Sequence, residues 1–170
     1  MKYIYETERL LFRKYTLDDV DELLKIIGDA DNMKYYPKPY DKNGCVRWIN
    51  WNLDNYDKYG FGLYVLILKE TNEFVGDCGI TIQNINGRQV KELGFHIAKK
   101  FHRLGFATEA SKEILNNIFI HNKEDDIYCY QSKDNIPSRK TALKLGFEFL
   151  EEYVYEDVIH SVYIYKNPNK

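Results

Sequence analysis

The segment FHRLGFATEASKEILNNIF, residues 101–119, places a loop with one glycine directly before a run with helical periodicity. The first turn of a helix exposes unpaired backbone N–H groups and a partial positive charge, so it can hold a phosphate without a lysine. Gly105 has no Cβ to keep an anion from the backbone, Ala107 is small, and Thr108 adds a hydroxyl donor. An ordinary strand-to-helix connection has the same pattern, and Glu109 suits the start of either kind of helix.

Candidate proton-transfer groups occur just before this loop, in the stretch VKELGFHI at residues 90–97. Alternation along a strand places Glu92, Gly94 and His96 on one face. A glycine inside a strand is typical of a bulge or of a close approach by another backbone. Glu92 is either a base or a solvent-facing glutamate. His96 is either a second base or a partly buried histidine with satisfied hydrogen bonds.

A second polar helix start follows the next predicted strand, within DIYCYQSKDNIPSRKTALKLGF at residues 126–147. Asn135 and Ser138 lie where this helix begins. Two neighbouring strands that both lead into polar helix starts would bring several donors to one sheet edge. Lys140 and Lys144 on the same helix have the pattern of a solvated face.

These groups need elements that position them, and the hydrophobic pattern predicts a mixed α/β domain with a mostly antiparallel sheet. Three β-rich stretches in the middle of the chain are joined by short turns, and Asn86-Gly87 favours a two-residue hairpin. Helices and strands then alternate. The predicted strands are residues 9–15, 62–69, 74–83, 90–97, 127–131, 147–155 and 161–165; the predicted helices run from Thr16 to Gly28, through Val46 to Gly60, from Gly105 to Phe119 and from Ile136 to Leu145.

The composition limits the classes of function. With 170 residues, 44% of them hydrophobic, the chain fits a single domain over residues 1–170. Its net charge of -2 lacks the basic excess expected of a non-specific nucleic-acid binder. Three widely spaced cysteines favour reduced thiols in a cytoplasmic protein, and the four histidines lack metal-site spacing. A charged N-terminus and the lack of an apolar run of about 18 residues predict neither a signal peptide nor a membrane span.

Three motifs in this order resemble the GNAT superfamily of N-acetyltransferases, and more narrowly its ribosomal-protein acetylases of the RimJ/RimL type. They are ETERLLFR, GFATEA and DNIPSRKTALKLGFE, and together they extend over nearly the whole chain. The GNAT signature Q/R-x-x-G-x-G/A matches residues 102–107. This chain departs from it at His102, where the family has Gln or Arg, and at Arg103, often a glycine. It departs again at Ala142, where many members have a tyrosine.

The resemblance implies a mixed, mostly antiparallel central sheet of about seven strands with about four flanking helices. The strands at 90–97 and 127–131 would splay apart, and acetyl-CoA would enter the gap. Its pantetheine arm would pair with the first strand, and its pyrophosphate would lie on the loop before the third helix. The implied CoA-binding residues are Phe95, His96, Ile97, His102, Arg103, Leu104, Gly105, Phe106, Ala107, Thr108, Asn135, Ser138 and Lys140.

The same resemblance implies acetyl transfer directly to a primary amine, with no metal. Glu92 would be the base, acting through water. With Ala142 at the tyrosine position, Ser138 would stabilise the departing thiolate, and Tyr128 or Tyr130 remains an alternative. A cysteine acyl-enzyme through Cys129 has no supporting His or Asn spacing.

The acceptor would be held by residues 32–41, by the second helix with Trp48 and Trp51, and by the final hairpin. A protein N-terminus, a polyamine, an aminoglycoside and a free amino compound all remain open. Two alternatives to the leading interpretation are an aminoglycoside-type antibiotic N-acetyltransferase and a non-catalytic acyl-CoA-binding module. The expected assembly is a monomer or a homodimer, without nucleic-acid or membrane partners.

Overall fold

The computed structural model describes residues 1–170 as one mixed sheet with helices on both faces. A 3₁₀ turn at Leu17–Asp19 leads directly into the first helix, and a second at Lys99–Phe101 leads into the loop before the third helix. The strands are β1 (Tyr5–Glu6), β2 (Leu10–Arg13), β3 (Leu63–Leu68), β4 (Phe74–Ile85), β5 (Arg88–Ile97), β6 (Ile127–Ser132), β7 (Glu148–Tyr155) and β8 (Val158–Tyr165), and the helices are α1 (Val20–Ile27), α2 (Lys42–Tyr59), α3 (Phe106–His121) and α4 (Ile136–Leu145).

The sheet has eight strands in the order β1-β2-β3-β4-β5-β6-β8-β7. Every neighbouring pair is antiparallel except β5 and β6, which are parallel. The predicted fold class is therefore confirmed. The sheet has one strand more than predicted because Tyr5–Glu6 pairs with Leu11 and Phe12 of β2. A two-residue strand is too short to show alternation, so periodicity could not reveal it.

The only parallel pair of strands separates after two residues. β5 and β6 pair at Lys91 with Ile127 and at Glu92 with Tyr128, and no further. Beyond that point β5 continues along β4, while β6 continues along β8. Residues 93–97 of β5 therefore have no strand on their β6 side, as the predicted splay requires.

Apolar side chains cover both faces of the sheet. A cluster of 22 buried residues joins α3 and α4 to one face, and it includes Leu93 and Ile97 of β5. A second cluster of 11 joins α1 and α2 to the other face through residues such as Val65 of β3. Because side chains alternate along a strand, Glu92, Gly94 and His96 face the α1 and α2 side.

The predicted turn and the predicted helix ends agree with the local backbone geometry. Asn86 and Gly87 both have positive φ values, 51° and 81°, at the β4–β5 turn. Gly60 and Gly146 end α2 and α4 in the left-handed conformation. The helix predicted from Thr16 begins as the 3₁₀ turn before α1. None of the helices combines the length and the apolar content needed to cross a bilayer.

Candidate active site between the parting strands

A cleft of about 280 Å³ lies where β5 and β6 separate. One wall comes from residues 92–96 of β5, another from residues 129–132 of β6, and a third from the start of α4. The far side is formed by residues 35–37, by Trp48 and Trp51 of α2, and by the tip of the β7–β8 hairpin. The predicted residues that line this cleft together are Glu92, Phe95, His96, Asn135 and Ser138.

Glu92 lies at the point of separation and is buried, with 8% of its surface exposed. Its Oε2 accepts no hydrogen bond from the chain. A Cβ placed on Gly94 would be 3.5 Å from this oxygen, so the carboxylate leans over the glycine. Burial raises the pKa of Glu92 well above its ordinary value. The solvent-facing alternative is thus wrong, and the group is a strong base once ionised.

His96 shares the face and the cleft with Glu92 but, unlike Glu92, has a hydrogen-bond partner in the chain. Its Nδ1 lies 2.8 Å from the carboxylate of Asp77, its register partner on β4. Asp77 is fully buried and also accepts hydrogen bonds from Tyr15 and from Trp48. The sequence interpretation missed Asp77, although a lone acidic residue inside the apolar stretch FVGDCGITIQ was a usable signal.

The start of α4 presents polar groups to the cleft. Asn135 is buried and caps the helix, its Oδ1 accepting the Ser138 backbone N–H at 3.3 Å. The Ser138 hydroxyl has no hydrogen-bond partner among the contacts of the chain. Ala142 is buried one turn further on and also lines the cleft. Ser138 therefore presents an unbonded hydroxyl to the cleft one turn before Ala142.

The other side chains considered for proton transfer differ in their access to the cleft. Tyr130 lines it and contacts His160, and burial raises the pKa of its hydroxyl. Tyr128 instead packs beside the Arg88 guanidinium. Burial also raises the pKa of the Cys129 thiol well above its ordinary value, which disfavours the thiolate that an acyl-enzyme would need.

The loop before α3 has the geometry of an anion cradle. Arg103 and Gly105 both adopt left-handed backbone conformations, with φ of 62° and 84°. The helix begins at Phe106, and the first backbone bond into it runs from the Glu109 N–H to the Gly105 carbonyl. The N–H groups of residues 103–108 donate no hydrogen bond within the chain. These donors suit a phosphate group, because successive free N–H groups and a helix start attract anions.

The N-terminal segment holds this loop in place. Glu109 accepts hydrogen bonds from the Thr7 hydroxyl at 2.7 Å and from the backbone and side chain of Arg9 at 3.0 Å and 2.7 Å. Arg9 also donates to the Leu104 carbonyl at 2.9 Å and stacks 4.1 Å from the Phe106 ring centroid. Two of the sequence motifs are thus in direct contact, a pairing that the sequence interpretation missed because it assessed Glu109 only as a helix-start residue.

Three predicted CoA-binding residues have contacts or positions that the sequence could not show. His102 donates through Nε2 to the Ile97 carbonyl at 2.8 Å, and Asn32 donates to the same oxygen at 3.2 Å. That carbonyl already has two donors, so the unpaired edge of β5 is concentrated at residues 93–96. Lys140 is exposed on α4 and does not line the cleft.

Comparison with known proteins gives the family. Residues 9–148 match the "Acetyltransferase (GNAT) domain" family. The uncharacterized protein YkkB of Bacillus subtilis is 32% identical over 124 residues, which cover 73% of this chain and 72% of that protein. The uncharacterized N-acetyltransferase p20 of Bacillus licheniformis is 30% identical over 151 residues, which cover 87% of this chain and 83% of that protein.

The solved structure of RimL, a ribosomal L7/L12 alpha-N-protein acetyltransferase in complex with coenzyme A, shares the fold. Its TM-score is 0.78 at 13% identity, over 99% of this chain and 100% of that one. The family match, the curated relatives and the shared fold agree with the motifs quoted above. The chain belongs to the GNAT acetyltransferase family and is an acyltransferase.

Proposed function

We propose that the protein transfers an acetyl group from acetyl-CoA directly to a primary amine. The observation that carries this proposal is the separation of β5 and β6 at Glu92. The resulting cleft has an unpaired strand edge, a buried carboxylate without a partner and the polar start of α4, and the free N–H groups at the start of α3 follow β5 along the chain. A thioester carrier beside an amine can use all of these groups.

The residues present fit coenzyme A. Extended chains pair with unpaired strand edges, so the pantetheine arm suits residues 93–96 of β5, with Asn135 opposite. The diphosphate suits the free N–H groups of residues 103–108, to which Arg103 and Thr108 add side-chain donors. RimL, which shares the fold, has been solved in complex with coenzyme A, so the fold can hold this carrier. When bound, acetyl-CoA supplies the activated acetyl group as a thioester.

Glu92 is proposed as the base of the transfer. An ammonium has no lone pair and the amide product keeps only one N–H bond, so the acceptor nitrogen must give protons to a base during the transfer. Burial raises the pKa of Glu92, which makes its ionised form a better proton acceptor than an exposed glutamate. Water in the cleft would connect this carboxylate to the amine.

Ser138 is proposed to donate a hydrogen bond to the sulfur as the C–S bond breaks. Its hydroxyl is half-buried, unpartnered and located at the N-terminus of α4, where the helix dipole favours negative charge. A hydroxyl at this point stabilises a thiolate without itself becoming charged.

The acceptor is proposed to be either a protein N-terminus or a small amine. Its side of the cleft combines Tyr36, Trp48 and Trp51 with the hairpin residue Glu156. Aromatic faces and a carboxylate both attract an ammonium group. RimL acts on a protein N-terminus, but the identity of 13% transfers only the fold.

Thiol release tests the proposal. The purified protein is incubated with acetyl-CoA and a panel of N-terminal peptides, polyamines, aminoglycosides and free amino compounds, and CoA thiol is measured. We expect amine-dependent thiol release with at least one acceptor, and mass spectrometry should find that acceptor acetylated. Coenzyme A binding by calorimetry without turnover on any amine would instead support the non-catalytic module that Ala142 favours. Full turnover by both Glu92→Gln and Ser138→Ala would overturn the two assigned roles.

A further inference from the structure

On the acceptor side of the cleft, His96 is a second acid–base group, and the buried carboxylate of Asp77 fixes its orientation. Both oxygens of Asp77 are engaged: Oδ1 faces His96 Nδ1 at 2.8 Å, and Oδ2 accepts from Tyr15 at 2.6 Å and from Trp48 Nε1 at 3.2 Å. Because a carboxylate oxygen accepts, the imidazole proton of a neutral His96 lies on Nδ1. The lone pair of the ring is then on Nε2.

The Nε2 atom of His96 has no hydrogen-bond partner in the chain, while 12% of the side chain is exposed and lines the cleft. The ring is packed between Trp48, at a centroid distance of 5.0 Å, and Tyr36, at 6.0 Å. His96 is thus oriented by a buried partner, held by aromatic rings, and left with a free proton-accepting atom.

Glu92 and His96 lie on either side of an open part of the same strand face. Gly94 lies between them and is paired with Gly79 of β4, so neither strand contributes a side chain there. The Glu92 carboxylate leans over Gly94. Along the strand Glu92 and His96 are four residues, or about 13 Å, apart, and the carboxylate over Gly94 lies about two residues, or about 7 Å, from His96, which leaves room between the two groups for an amine and a water molecule.

The chemistry of the transfer requires two proton acceptors. An ammonium nitrogen has three N–H bonds and a secondary amide has one, so the acceptor nitrogen loses two protons. One of them ends on the sulfur of the CoA thiol, and the other is released to solvent. A site with two bases on opposite sides of the amine accounts for both.

We infer that His96 is a second catalytic residue, which accepts the first proton from the incoming ammonium and releases it to solvent. Glu92 accepts the second proton as the N–C bond forms, and that proton passes to the sulfur as the C–S bond breaks. Asp77 is a positioning residue, because it acts through His96. This inference rests on the proposed function and assigns the proton path within it.

The substitution Asp77→Asn tests the orientation directly. Tyr15 and Trp48 both donate to Oδ2, so the oxygen of the new amide stays at that position. Its NH₂ group then faces His96 Nδ1 and donates to it, which moves the ring proton to Nε2. The histidine remains in place but cannot accept a proton from the amine.

Two measurements follow on wild type and Asp77→Asn. In protein with ¹⁵N-labelled histidine, NMR should report the Nδ1–H tautomer for wild-type His96 and the Nε2–H tautomer for the variant. With the acceptor found by thiol release, kcat should fall by about 10²-fold, the lower end of the range for a general base, while KM for acetyl-CoA stays the same. His96→Gln should show the same loss of kcat. His121 is exposed at the far end of α3, so His121→Gln serves as the matched control with unchanged kcat.

The outcomes separate this inference from the proposed function. Unchanged kcat in both Asp77→Asn and His96→Gln, with an active wild type, would overturn the role of His96 and leave the acetyltransferase proposal standing. A wild-type Nε2–H tautomer would overturn it as well, without any assay of turnover. A wild type that releases no CoA thiol with any amine would overturn the proposed function first, and this inference with it.

Discussion

Glu92, which lines the cleft from β5, and Glu109, which holds the loop before α3, show how differently one protein can treat the same side chain. Glu109 accepts three hydrogen bonds, from Thr7 and from the backbone and side chain of Arg9. Glu92 is more deeply buried, and its Oε2 has no partner. Their pKa values move in opposite directions: burial raises that of Glu92. Partial burial also opposes ionisation of Glu109, but the bonds from Thr7 and Arg9 leave its pKa below the ordinary value.

The difference in hydrogen bonding distinguishes a glutamate with a structural role from one that is free to take part in chemistry. A carboxylate whose hydrogen bonds are satisfied has no remaining capacity for a substrate, and Glu109 uses its capacity to fix the loop before α3. A buried carboxylate without a partner costs stability, and such a cost is typical of functional sites. In the proposed function Glu92 would therefore be available to the acceptor, whereas Glu109 fixes the loop proposed to hold the CoA diphosphate.

The largest expected effect comes from exchanging each carboxylate for an amide. Glu92→Gln should lower kcat by about 10²- to 10⁴-fold, because general bases contribute in that range. Glu109→Gln makes the same chemical change but should act through KM for acetyl-CoA, since it loosens the loop. The comparison would be contradicted if steady-state kinetics showed that Glu92→Gln changes KM for acetyl-CoA while Glu109→Gln changes kcat.

The next effect concerns the loop that Glu109 supports. Gly105→Val puts a branched side chain at φ of 84°, with its Cβ 3.5 Å from the Arg9 guanidinium, within the run of residues whose N–H groups are free. Losing one hydrogen bond to a charged phosphate costs about 1.5–3 kcal/mol, which is about a ten- to a hundredfold weaker CoA affinity. Gly60 has a similar φ of 78° with open space around it, so Gly60→Val controls for backbone strain. Calorimetry should show weakened CoA binding for the first variant alone; unchanged affinity in Gly105→Val would contradict the proposed diphosphate site.

A smaller effect is expected at Arg9. Arg9→Lys keeps the charge but cannot bond Glu109 and the Leu104 carbonyl together as the guanidinium does. Losing about 1 kcal/mol of loop fixation should weaken CoA binding about fivefold. Lys170→Arg, in an ion pair with Asp126 just before β6 and beyond the far end of α3, is the reverse exchange and should leave CoA affinity as it is. Equal affinities for Arg9→Lys and wild type would show that the loop does not depend on this contact.

The smallest effect is on stability, and its dependence on pH has opposite signs for the two glutamates. Because the folded pKa of Glu92 is raised, its penalty grows as the pH rises from the ordinary value to the raised one. Because the folded pKa of Glu109 is lowered, its stabilisation is present above the ordinary value and is lost as the pH falls through the lowered one.

Thermal melts of the two variants measure these signs. Glu92→Gln should raise Tm at pH 7 and lose this advantage near pH 4, whereas Glu109→Gln should lower Tm at pH 7 and approach wild type in acid. Each change of about 1 kcal/mol corresponds to about 2–4 °C in a protein of this size. Shifts of the same sign at pH 7 would show that the two carboxylates do not differ in the way described.

The sequence predicted more of the scaffold than of the site. α4 was predicted with the bounds observed, since Pro137 and Gly146 mark its two ends. Motif order also gave the family and the gap between strands. Ser138, Asn135 and Glu92 were found because they lie next to such local signals. Asp77 and Arg9 were not, because their partners His96 and Glu109 are distant along the chain.

The sequence by itself determined the order of the strands and helices, the turn at Asn86 and Gly87, and the polar residues at the two helix starts. These depend on periodicity and on backbone preferences within a few residues. Only the tertiary structure decided that Glu92 is buried without a partner while Glu109 is fully bonded. Burial and hydrogen bonding depend on which distant segments meet, and a glutamate has the same local signature in both cases.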